Sequence, residues 1–267
     1  MNFKTTVFVL LLSFSPLNNA KVNLSQNIQE LDTRGFTIVD NAFSAKEMQE
    51  IQHHYKLAKS KAFDIMAKHP AQPRIFSEND TETKSQFWKV DKYLIMQAGP
   101  GRYEFYRGFN DGFFSSKTVL HNAKLDDLMQ QIMNGEFTNY SSIIHSSSGS
   151  EDQYWHRDTN TLSNHSTDGE KLVTLDDFYF TILIPITVPF TIENGTTEFL
   201  PGTHRLSSKD FDYTKTAQTT VPVGSAIVFN GKINHRGKAN LSAIDRPALC
   251  IVYHKRWYND QYRTGVD

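Results

Sequence analysis

From Tyr140 onward the chain becomes a series of short β-forming runs, YSSIIH, QYWH, DFYFTILIPITV, TTEFL, TTVPV, AIVF and ALCIVYH, separated by clusters of Gly, Pro, Asn and Ser. Branched and aromatic residues suit a pleated, half-buried surface, and the clusters between them reverse the chain, so this half must build a sheet. Many short strands hide their edges by closing into a sandwich or barrel, and a cupin-like jelly roll lets side chains from separated strands converge on one point. With 267 residues, of which 39% are hydrophobic, the chain can bury a sizeable core, and a single domain over residues 21–267 is expected.

The N-terminal half carries helices that would buttress such a sheet. GFTIV, residues 35–39, forms a short strand, and a helix over Ala45 to Lys61 follows with a marked start. Ser44 is placed to cap it, Glu47 completes a capping box, and Phe43 and Met48 occupy the staple positions. Met48, Ile51, Tyr55 and Ala58 then follow one helical face. A second helix is marked by Leu125, Leu128, Met129 and Ile132, with Asn134 and Gly135 as its stop.

Residues 1–20 have the shape of a cleavable signal peptide, with Lys4 before the apolar run from Thr5 to Phe14, then Pro16 and a small residue at Ala20. The run is too short to cross a bilayer core of roughly 30 Å, so no stable membrane span is expected and the mature chain would enter the secretory pathway or be exported. The single cysteine, Cys250, excludes an intrachain disulfide and sits in an apolar run as a buried thiol. Sequons at Asn23, Asn79, Asn139, Asn164, Asn194 and Asn240 matter only in a glycosylating host. A net charge of -1 gives no electrostatic reason to expect nucleic acid or an anionic membrane, and favours a small molecule or a side chain as substrate.

The chemistry concentrates in YWHRDTN, where His156 and Asp158 stand two residues apart. On an extended segment such residues share a face, so an imidazole and a carboxylate can reach one metal ion. With ten histidines in the chain, about half of comparable sequences would hold a His-x-Asp by chance, so the context decides. AIVFNG leads through Lys232 and Asn234 to His235, and Arg246 opens PALCIVY. As consecutive antiparallel strands, these runs would turn His235 and Arg246 into one cavity. Two His and one carboxylate leave positions on Fe(II) open for a bidentate 2-oxo acid and O2, and a planar guanidinium suits a distal carboxylate. Tyr179 and Thr181, on one face of DFYFTILIP, are candidates for a further hydrogen bond to that co-substrate. These residues alone leave two alternatives open: a cupin-like metalloenzyme without a 2-oxo acid, and a non-catalytic binding jelly roll.

In four segments taken in order, the chain resembles the phytanoyl-CoA dioxygenase family of Fe(II)/2-oxoglutarate oxygenases: RGFTIVDNAFSAKEM, WHRD, ENGTTEFLPGTH and VGSAIVFNGKINHRGKANLSAIDRP. The resemblance runs from about Gln29 to Trp257. It implies a double-stranded β-helix, with His156, Asp158 and His235 as iron ligands, Arg246 as the 2-oxoglutarate anchor, O2 as oxidant and ascorbate as a supporting reductant. Halogenating relatives replace the carboxylate ligand with a small residue. Asp158 is intact here, which implies hydroxylation of a C–H bond or a related oxidation, with release of succinate and CO2.

The remaining candidates have plainer roles. His121, His145, His165, His204 and His254 lack ligand spacing, although His165 lies in a polar stretch suited to covering a substrate. Trp155 is expected in the core, and Asn194 and Gly195 in a turn. The segment from Met96 to Phe109 reads as a sheet-edge strand, with Arg102 and Arg107 as cations available to an anionic substrate.

Overall fold

The computed structural model describes residues 16–73, 86–159 and 176–259. The apolar run of the expected leader and His165 lie outside the described residues. Helices α1 (Pro16–Arg34), α2 (Ala45–Lys68), α3 (Lys117–Leu120) and α4 (Ala123–Met133) flank twelve strands. The strands are β1 (Phe36–Val39), β2 (Gln72–Pro73), β3 (Gln86–Val90), β4 (Tyr93–Gln97), β5 (Arg102–Phe105), β6 (Phe137–Ser146), β7 (Tyr179–Pro185), β8 (Thr197–Phe199), β9 (Ala217–Gln218), β10 (Ala226–Asn230), β11 (His235–Gly237) and β12 (Arg246–Lys255). They form a nine-stranded sheet in the order β1-β10-β7-β12-β6-β5-β4-β3-β2, and a three-stranded sheet in the order β11-β8-β9. Every pairing is antiparallel.

The large sheet is covered on both faces, which explains why its central strands read as unbroken apolar runs rather than alternating ones. Leu249, Ile251 and Tyr253 of β12, with Phe180, Ile182 and Ile184 of β7, join the core that also holds Met48, Ile51 and Ile65 of α2 and Leu125 and Leu128 of α4. The alternate residues Ala248, Cys250, Val252, Tyr179 and Leu183 join a second core with Phe199, Val221 and Phe229. Helices therefore lie on one face and the small sheet on the other. This is the jelly-roll arrangement expected from the short-strand half. Among the described residues, no helix is long and apolar enough to cross a membrane.

The helix signals hold with one extension. Ser44 Oγ accepts from the Glu47 amide and Glu47 Oε2 accepts from the Ser44 amide, so the capping box forms. α2 continues past Lys61 because Ala62 and Ile65 keep its apolar face buried. In α4, Asn134 takes the left-handed conformation at the stop and Gly135 follows with φ at 115°.

Three expectations change. The segment of Arg102 is not a sheet edge, because β5 lies between β4 and β6. AIVFN and PALCIVY are not neighbours, since β7 lies between β10 and β12, and His235 opens β11 in the other sheet. QYWH is not a strand either, and only His156 within it pairs, through an isolated bridge to His235. Local pattern fixes which face a residue takes, whereas strand order depends on pairings between distant segments. The sequons at Asn194 and Asn240 are 4% and 0% exposed, and their amide N–H groups donate to Pro189 O and Ile244 O, so neither offers a surface for glycan transfer.

Behind the large sheet, His145 is fully buried, with Nδ1 2.8 Å from the Tyr55 hydroxyl and Nε2 3.6 Å from Asp245 Oδ2. Burial pushes its pKa down to about 4, partly countered by the Asp245 carboxylate. Above about pH 6.5 the imidazole is neutral in both states and the fold keeps its full stability. As the pH falls from there toward about 4, the unfolded chain takes up a proton that the folded chain refuses, so stability is lost. Urea unfolding is expected to show a loss on the order of 2 kcal/mol from this group between about pH 7.5 and about pH 5. His145→Gln should remove most of that difference, and an unchanged difference would rule the account out.

Candidate metal centre

The two histidines are brought together by backbone. His156 and His235 exchange both amide–carbonyl hydrogen bonds at 2.9 Å, which continues the small sheet by one residue and sets their rings 4.4 Å apart between centroids. Two residues after His156 the chain bends, and the amides of Asp158 and Thr159 both donate to the Gly231 carbonyl, at 2.9 and 3.1 Å. Gly231 is required there, because a Cβ at that position would lie 2.6 Å from the Tyr179 ring. As a result, one ligand atom each from His156, Asp158 and His235 lies within 4.8 Å of the others.

Each side chain is also oriented. Nδ1 of His156 lies 3.0 Å from the Tyr154 carbonyl and Nδ1 of His235 lies 3.1 Å from the Ile233 carbonyl. A carbonyl only accepts, so each Nδ1 carries the proton and each Nε2 presents a lone pair. Asp158 Oδ2 accepts a short hydrogen bond from the Thr181 hydroxyl, while Oδ1 lies 3.8 Å from His235 Nε2. Two imidazoles and one carboxylate, each held by a second partner, are a donor set that suits a divalent iron with open positions.

The triad faces a cavity of about 450 Å³ between the sheets, whose lining includes Met96, Arg102, Glu104, Tyr154, Thr181 and Arg246. In that lining Arg246 is 3% exposed, stacks 5.0 Å from the Phe190 ring centroid, and donates from Nη2 to Ser146 Oγ at 2.9 Å. Its Nε is buried without a hydrogen-bond partner. Burial, reinforced by the nearby Arg102 charge, pushes the Arg246 pKa down to about 9.

The sequence candidates separate into those that meet and those that do not. His156, Asp158, His235 and Arg246 share the cavity, and Thr181 joins them, bound to Asp158. Tyr179 shares the strand face of Thr181, but its hydroxyl lies 3.2 Å from that of Tyr140, its ring stacks on His254, and it is absent from the cavity lining. Its place beneath Gly231 makes it a packing residue, a correction to the co-substrate contact expected from its strand face. Trp155 is half-buried under the Arg236 guanidinium and is not in the core. Asn194 takes the turn role, its Oδ1 accepting from the Thr191 amide. Gly195 has φ at 82°, and a Cβ there would lie 2.3 Å from the Lys238 carbonyl. His204 donates through Nε2 to the Asp32 carbonyl at 3.2 Å and is not among the grouped ligand candidates. Ser146, Phe190 and Gly231 carried no local signal, because each acquires its role from a partner remote in sequence.

The family model for phytanoyl-CoA dioxygenase (PhyH) matches residues 31–248. Dioxygenase cdmD of Talaromyces verruculosus is 23% identical over 243 residues, covering 86% of this chain and 74% of that protein. Dioxygenase FrzG of a Cladobotryum species is 33% identical over 134 residues, 46% of this chain and 42% of that protein. Among solved structures, the α-ketoglutarate-dependent carbocyclase SnoK of nogalamycin biosynthesis aligns with a TM-score of 0.60 at 14% identity, covering 86% of this chain and 83% of that one. HygX of Streptomyces hygroscopicus, solved with nickel, 2-oxoglutarate and hygromycin B, aligns with a TM-score of 0.56 at 12% identity, covering 88% of each chain.

Removing the Thr181 hydroxyl tests how far the second partner of Asp158 governs the centre. Thr181→Val keeps the shape of the side chain and is expected to weaken anaerobic Mn(II) binding by about tenfold or more. Calorimetric titration checks this, and an unchanged affinity would show that Asp158 is positioned without Thr181.

Proposed function

The chain belongs to the phytanoyl-CoA dioxygenase family of Fe(II)/2-oxoglutarate-dependent dioxygenases, and on that premise we propose that it hydroxylates a C–H bond of a small-molecule substrate. In this reading His156, Asp158 and His235 hold the iron, and Arg246 holds the distal carboxylate of 2-oxoglutarate. The observation that carries it is the pairing, in one cavity, of a two-His, one-carboxylate set with a buried guanidinium that has no carboxylate partner among the described residues. An uncompensated buried charge costs several kcal/mol, so such an arginine marks the seat of an anion that arrives with the co-substrate.

When bound, the iron supplies the oxidation, in which O2 and 2-oxoglutarate are converted to succinate and CO2 as the substrate is oxidised. The protein supplies orientation. The carbonyl at each Nδ1 orients its ring so that Nε2 is the atom turned to the metal, and Thr181 fixes which carboxylate oxygen of Asp158 turns to it. The Arg246 fork is preorganised by Phe190 and Ser146, so binding 2-oxoglutarate costs little reorganisation at that end. The apolar walls around Leu183, Phe229 and Ala248 exclude water from the space between.

The intact Asp158 supports hydroxylation, since a carboxylate occupies the position that a halide would need. The solved structure of HygX with hygromycin B, on the same fold, supports a small organic molecule as the substrate class. Substrate-panel assays that follow 2-oxoglutarate-dependent succinate release, with Fe(II) and ascorbate present, test this reading. His156→Ala and Asp158→Ala are each expected to lower coupled turnover by about a thousandfold. Undiminished turnover in either variant would overturn it.

Export rests on the N-terminal run alone. A C-terminally tagged chain is expected outside the cytosol or in a secretory compartment, with a new N-terminus near Lys21. A full-length cytosolic product would reject the leader.

A further inference from the structure

Resting on the co-substrate reading above, we propose that Arg102 is a second arm for the distal carboxylate of the 2-oxo acid, so that two guanidiniums converge on one anion. The register sets this up. Arg102 of β5 pairs with Ser146 of β6, and Ser146 pairs with Arg246 of β12, so the three side chains stand in a row on one face of three adjacent strands. Ser146 Oγ accepts from Nη1 of Arg102 at 2.7 Å and from Nη2 of Arg246 at 2.9 Å, which turns both forks toward the same place. Both arginines line the cavity that holds the triad, and each is 3% exposed.

The electrostatics of this row are unbalanced. Among the described residues, no carboxylate lies within ion-pair distance of either guanidinium, and the two like charges share a single neutral oxygen. Burial pushes the Arg102 pKa down to about 10 against the partial relief of the more distant Asp152 carboxylate, whereas at Arg246 burial is reinforced by the Arg102 charge. A carboxylate has two oxygens with about four acceptor sites, enough to take one fork and still accept from a second. Its arrival would relieve the repulsion and satisfy the buried Arg246 Nε in one step.

Arg102 also ties loops together, because Nη2 donates to the Glu151 and Lys238 carbonyls at 3.2 and 2.9 Å. Gly237 is pressed against it, since a Cβ there would lie 2.9 Å from Arg102 Nη1. Those carbonyls account for the fork on one side only. They need hydrogen-bond donors and no positive charge, which a neutral amide would provide without the cost of burying a cation beside another. The charge is explained by an anionic ligand.

The test compares two 2-oxo acids on the anaerobic Mn(II)-loaded protein by calorimetry: 2-oxoglutarate, and 2-oxobutyrate, which lacks the distal carboxylate. Arg102→Gln is expected to weaken 2-oxoglutarate by about tenfold or more and to leave 2-oxobutyrate within about twofold of wild type. Arg102→Lys, which keeps charge without the fork, should lose a smaller part of the same selectivity, and it supplies the ratio if the Gln variant does not fold. Equal weakening of both acids, or no change for 2-oxoglutarate, would make Arg102 a loop clamp and overturn the proposal. A wild-type protein that binds the two acids equally would instead overturn the co-substrate reading itself, which keeps the two failures apart.

Discussion

The central strands of the large sheet are buried on both faces, and the rest of the molecule is arranged around that constraint. Helices α2 and α4 take one face and the small sheet takes the other. A polar side chain on the inner face has no water to turn to, so it must find a partner inside the sandwich or hold a ligand. Thr181 finds Asp158, and Ser146 finds two arginines. The cavity is the part of the interior where these polar groups collect, bounded by apolar residues of both sheets.

Within that space the histidine pair depends on backbone rather than on side-chain chemistry. The reciprocal bonds of His156 and His235 fasten an irregular segment onto the small sheet, and the Gly231 carbonyl then fixes Asp158 against the end of the large one. The candidate metal-ligand set therefore spans the seam between the two sheets. Its precision comes from hydrogen bonds that would form with many side chains in place. The three side chains are in turn oriented by Thr181 and two backbone carbonyls.

Another part of the cavity wall is built on the flat of the large sheet. Strand pairing carries Arg102, Ser146 and Arg246 into one row, and Phe190 supports the Arg246 guanidinium from the facing side. Paired strands hold this part of the lining, and a bent segment holds the triad. Met96, Glu104 and Tyr154 complete the lining.

Local sequence determined much of this. The branched and aromatic runs after Tyr140 specified a sheet, Ser44 and Glu47 specified where α2 begins, and Asn134 and Gly135 specified where α4 ends. That His156, Asp158, His235 and Arg246 belong together was legible from residue types that suit a metal and a carboxylate, and the fold does bring all four to one cavity. Strand order was not legible: β7 separates β10 from β12, β5 is interior, and QYWH pairs at a single residue. Nor was the fate of Tyr179, which shares a strand face with Thr181 but points its hydroxyl at Tyr140. Period and capping are set by neighbours a few residues away, so the sequence states them directly. Register, and with it the meeting of Arg102 and Arg246 at Ser146, is set by hydrogen bonds between segments far apart in the chain, so only the folded structure decides it.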